Sequence, residues 1–114
     1  MGVAVALVGN CAGPSLASAP PVGPLPAGPA STIHTGKGQL VAVALPRRAG
    51  GRVWRIARAF DSQVLREVAE ADVGKQVVLV FEARGRGTTT ISFGLTRGER
   101  PKAYESRRYI VSVR

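Results

Sequence analysis

The chain is short of most residue types that thiol, metal or general acid–base chemistry needs. Its single cysteine, Cys11, excludes an intrachain disulfide and a cysteine metal site. Its single histidine, His34, sits beside Thr32 and Thr35 on an expected first strand. It makes no metal site and completes no Ser/His/Asp set. Neighbouring acids, Asp61 with Glu67 and Glu70 with Asp72, read as solvated surface charge because no pocket signal accompanies them. An enzyme is therefore not expected, nor a cofactor or metal. Aromatic residues make up 5% of the chain, few for stacking on bases, and no nucleic-acid reading motif is present. Charge is missing too from one region: no charged residue precedes Lys37.

What is present divides the chain in three. MGVAVALVGNC, residues 1–11, is an apolar run too short to span a bilayer. It is similar to the apolar part of an export signal without the basic residues that normally precede one. Ala17-Ser18-Ala19 fits a small-residue cleavage site; alternatively Cys11, ahead of a Pro/Gly/Ala tether, is a candidate for lipidation and the only route to a membrane. An exported protein is expected, periplasmic or secreted. Residues 12–30 hold six of the eight prolines among Gly, Ala and Ser, and are expected to form a flexible linker. Residues 31–114 remain as one small domain, expected to be a monomer, that carries the whole net charge of +9. Thirteen of its sixteen basic residues are arginine, whose planar fork of donors suits carboxylates and phosphates.

From Ser31 the dominant period is two. TTTISFGL alternates, with Thr89, Ile91, Phe93 and Leu95 on one face and Thr88, Thr90, Ser92 and Gly94 on the other. RRYIVSVR groups Tyr109, Val111 and Val113. LVAVAL and VVLVF are apolar on both faces, as expected of central strands. Between Val53 and Val68 the apolar residues also fit a helical stripe. The local pattern slightly favours the helix, but the strand reading, with Trp54 and Ile56 inward, Arg55 outward, a corner at Asp61-Ser62 and a short strand near Val64 to Val68, is preferred because a lone helix would leave few strands to pair and because of the resemblance described below. The expected fold is an all-β, immunoglobulin-like antiparallel sandwich of about seven strands. Connections then alternate between its ends, gathering residues 46–52, 69–75 and 96–105 at one end, rich in arginine. Arg84 and Arg86 fall in a turn at the other end.

In these features the chain resembles the chagasin family of cysteine protease inhibitors. STIHTGKGQLVAVALP resembles its opening strands, Gly51 and Trp54 its Gly-x-x-Trp, DSQVLREV its fourth-strand region, and VFEARGRGTTTISFGLTR with RRYIVSV its last three strands. The resemblance implies a sandwich that blocks papain-like proteases without covalent chemistry, by a wedge of three loops. The implied partner is a papain-like cysteine protease. The implied binding residues are Arg47, Arg48, Ala49, Gly50 and Gly51; Asp72, Val73 and Gly74; and Arg97, Gly98, Glu99 and Arg100. These loops depart from the family pattern. The first lacks Asn-Pro and the threonine pair, Ala71-Asp72-Val73-Gly74 replaces a Gly-x-Gly-Gly run, and Gly98-Glu99 replaces Pro-Trp. An alternative is therefore a non-inhibitory domain of this fold that uses the same basic loops for another protein or an anionic partner.

Overall fold

A computed structural model of the protein describes residues 21–114; Cys11 and the export expectations lie outside the described residues. Among the described residues seven strands form: β1 (Ala30–Thr35), β2 (Leu40–Pro46), β3 (Arg52–Ile56), β4 (Leu65–Val73), β5 (Gln76–Ala83), β6 (Gly87–Arg97) and β7 (Ala103–Val113). No helix occurs among the described residues. A four-stranded sheet runs β1-β7-β6-β3 and a three-stranded sheet runs β2-β5-β4. All pairings are antiparallel except β1 with β7. The architecture is the immunoglobulin-like sandwich that the alternation predicts.

The inner faces supply the core. Val41, Val43 and Leu45 from β2 and Leu79, Phe81 and Ala83 from β5 meet Ile91 and Phe93 from β6 and Val111 and Val113 from β7. Phe81, Phe93, Ile91, Leu45, Leu65 and Leu95 are fully enclosed. Edge-to-face pairs, Phe60 with Phe81 and Phe93 with Tyr109, tie the corner segment and β7 to this core. The helical stripe between Val53 and Val68 resolves into β3, a corner, and β4. At the corner the Asp61 carbonyl accepts from the Val64 and Leu65 amides, and its carboxylate accepts from the Gln63 amide.

Three expectations need correction. LVAVAL forms β2, which among the described residues is an edge strand bonded only to β5, not a central one. Its outer side carries Leu40, Ala42 and Ala44, all exposed, and alanine is small enough for that exposure to cost little. The strand near Val64 to Val68 extends to Val73, past a bulge between Glu67 and Ala69, so most of residues 69–75 is strand rather than loop. Residues 21–29, inside the segment that composition marks as a linker, lie hydrogen-bonded along the outer face of the four-stranded sheet.

Candidate functional site

Three connections meet at one end of the sandwich: residues 47–51 after β2, 74–75 after β4, and 98–102 after β6. Backbone hydrogen bonds join them. The Arg47 amide donates to the Lys75 carbonyl at 2.9 Å, and the Gly98 amide donates to the Gly51 carbonyl at 3.1 Å. The chain turns within the first loop because Gly50 and Gly51 take left-handed φ values of 80° and 73°, a pair that costs side-chain-bearing residues strain. Trp54 closes the loop's base: its indole Nε1 donates to the Pro46 carbonyl at 2.8 Å while its ring packs half-buried on the core. The tryptophan is thus core anchor and loop clasp together.

Side chains add to this scaffold. Arg48 forms a two-pronged pair with Glu105 on β7, Nε to Oε2 at 2.9 Å and Nη2 to Oε1 at 3.0 Å, the geometry that favours guanidinium with carboxylate. The hydrogen bonds from Arg48 hold the Glu105 carboxyl below the usual carboxylate range, and the charges of Arg107 and Arg52 act in the same direction. Arg47 and Asp72 approach at 3.4 Å with both side chains more than half exposed, so that pair contributes little. On the third loop Thr96 Oγ1 donates to the Gly98 carbonyl. Arg55 donates from Nε to Thr96 Oγ1 and from Nη2 to the Arg100 carbonyl at 2.8 Å.

Every residue named from the sequence for these loops lies at this end. Arg47, Arg48, Ala49, Gly50 and Gly51 occupy the first loop, all exposed. Asp72 and Val73 finish β4 and Gly74 begins a two-residue turn; Arg97 ends β6, with Gly98, Glu99 and Arg100 following it. Among the described residues, the Arg97 and Arg100 guanidiniums make no ion pair. Arg52 lies 4.1 Å and Lys102 5.0 Å from the centre of the Tyr104 ring, both within cation–π range. Val53 and Val73, at the same end of the sandwich, leave 46% and 56% of their surface in water. A cleft of about 200 Å³ opens beneath the first loop, between Arg52 and Trp54 on one side and Glu70 and Asp72 on the other. Sequence reasoning missed Glu105, Arg55 and the indole hydrogen bond. Arg48 and Glu105 are 57 residues apart, and no local pattern pairs them. No cluster of three or more metal-ligating side chains exists among the described residues.

The fold and this end define an immunoglobulin-like sandwich that presents three linked, cationic loops. No protein-family model matches the chain, and no curated protein matches it. A solved structure does: the crystal structure of a cysteine protease inhibitor, EhICP2, from Entamoeba histolytica. The two superpose with a TM-score of 0.63 at 18% identity, over 75% of this chain and 97% of that one. At that identity the likeness establishes a shared fold.

Proposed function

We propose that the protein is an inhibitor of papain-like cysteine proteases that fills the active-site cleft with the three-loop end and forms no covalent bond. One observation carries the reading: loops distant in sequence are joined by backbone hydrogen bonds into a single preformed edge. Loops already ordered before binding lose less entropy on binding. The likeness to a solved cysteine protease inhibitor supports the same reading. In it the first loop, Arg47 to Gly51, enters the cleft and offers a tight glycine turn instead of a cleavable extended segment. Val73 and Gly74 flank it on one side. Arg97 and Arg100, unpaired among the described residues, meet carboxylates or carbonyls on the other. Export, through cleavage at Ala17-Ser18-Ala19 or with Cys11 as a lipid attachment point, belongs to the same proposal, since it would place the inhibitor among proteases outside the cytoplasm.

A second reading keeps the surface and changes the partner. The Arg48 fork is engaged with Glu105, and the third loop carries Glu99 where an aromatic anchor would add most to an interface. A non-inhibitory domain of this fold that uses the same end for another protein or an anionic partner fits those two facts. Titration of the full chain against papain and a panel of cathepsin-like enzymes separates the two readings. The inhibitor reading requires competitive inhibition that Arg97→Ala weakens about tenfold, ~1.4 kcal/mol. Absence of inhibition at micromolar concentration, in low and high salt, selects the second reading. Salt-sensitive DNA binding would instead mark a nucleic-acid partner.

A further inference from the structure

We propose that residues 21–29 form a strap that positions the third loop and so act as a fourth element of the binding end. The strap starts beside that loop, where the Gly23 amide donates to the Pro101 carbonyl at 2.7 Å. It then crosses the outer face of β6 and β7. The Pro26 carbonyl accepts from Ser106 Oγ at 2.6 Å, and the Pro29 carbonyl accepts from the Arg108 amide at 3.0 Å before β1 begins. Arg58, on the segment after β3, latches its start by donating to the carbonyls of Val22 at 3.1 Å and Gly23 at 3.0 Å.

The sheet is shaped to receive it. Gly94 sits in the interior of β6, where a missing side chain often marks the close approach of another segment. A Cβ there would lie 3.0 Å from Val22 and 3.1 Å from Leu25, so the glycine leaves a seat that those two side chains fill. Val22 is 8% exposed, a core value for a residue outside every strand. On the strap, Gly28 passes so close to β7 that a Cβ would overlap the Ser106 carbonyl. Proline-rich sequence suits this role because its restricted backbone has less freedom to lose on docking.

The consequence concerns the loop. Pro101 lies between Arg100, whose carbonyl Arg55 holds from beneath, and Lys102, whose ammonium stands over Tyr104. Gly23 supplies the bond from the strap side. Without the strap, residues 98–102 keep only the contacts made from the sheet. The importance of this for inhibition rests on the protease reading; the bracing itself does not.

Hydrogen exchange on the full chain, with Gly28→Ala and Arg58→Ala beside the parent, tests the strap. The Gly28 variant displaces it sterically; the Arg58 variant removes the latch from an exposed side chain and leaves the core intact. Both should speed exchange at the Gly23 amide and across residues 98–103 by about tenfold or more, while β2 and β5 amides stay unchanged. A Gly23 amide that exchanges at the free-peptide rate in the parent overturns the proposal. So do variants that leave residues 98–103 unaltered. Papain inhibition measured on the same proteins should weaken about tenfold in both variants. Equal inhibition would refute the functional half. A parent that exchanges as expected but does not inhibit would leave the strap standing and remove the protease reading.

Discussion

The two sheets of this sandwich share one core but treat their outer faces in opposite ways. The outer face of the four-stranded sheet carries Gly94, Ser92 and Ser106, all buried, and the strap lies along it. The outer face of the three-stranded sheet presents Ala42 and Ala44 from β2 and Ala69 and Ala71 from β4 to solvent on either side of Val78 and Val80. The polar face is covered and the apolar face is open. A strap held by carbonyl and hydroxyl contacts needs small polar partners and a glycine seat. An open face needs only side chains too small to lose much by exposure.

That contrast yields a series of tests. The largest effect belongs to the residue that ties the first loop to the core. Trp54→Ala removes ring packing and the bond to Pro46, and should lower stability by roughly 3 kcal/mol or more in denaturant unfolding. A variant of unchanged stability would show that the indole is only a surface contact. Next comes the same bulk added to the two outer faces. Gly94→Leu fills the seat of Val22 and Leu25 and should cost roughly 1–3 kcal/mol or expel the strap. Ala42→Leu on the open face should stay within about 0.5 kcal/mol. Equal costs would erase the distinction between the faces.

Two smaller effects are electrostatic. Partial burial pushes the Glu67 carboxyl up, and the neighbouring charge of Glu70 adds to the shift, although the residue as a whole remains exposed. A carboxyl raised in the folded state favours folding while protonated, so this contribution is present at acid pH and fades as pH rises through the folded value. Glu67→Gln should therefore flatten that part of the stability–pH curve, with a gain at neutral pH of less than about 1 kcal/mol after solvent screening. Glu105 has the opposite sign. Its carboxyl is depressed by Arg48, so the lock on the first loop holds above the ordinary carboxylate range and is lost as pH falls through the folded value. Glu105→Gln should leave the melting temperature nearly unchanged, yet quicken exchange at the Gly98 amide, which donates to Gly51.

Much of the fold is legible from Ser31 onward because period-two alternation and glycine punctuation act locally. TTTISFGL, RRYIVSV and VVLVF become β6, β7 and β5, with Ile91, Phe93, Val111, Val113, Leu79 and Phe81 in the core. Alternation describes one strand at a time, however, and does not report what lies over it. The polar side of TTTISFGL suggests solvent, but a segment more than sixty residues earlier covers Gly94. LVAVAL suggests burial on both sides, but nothing among the described residues lies over Ala42 and Ala44. The linker reading of residues 21–29 follows from composition, which omits the specific seat that Gly94 and Ser106 provide. At the loop end, the arginines and glycines can be named from sequence once the connections are known to alternate. Their fastening cannot, because Glu105, Arg55 and the Lys75 carbonyl reach the loops through pairings that form only in the folded state.

The most direct test of the three-loop account is the alkylation rate of papain's catalytic thiol by a small electrophile, measured as the chain is titrated in. Seating of the loop end in the cleft predicts that alkylation slows in proportion to complex formed, and that Arg97→Ala shifts the protection curve to higher concentration. A complex that forms while the thiol is alkylated at the free-enzyme rate would contradict it.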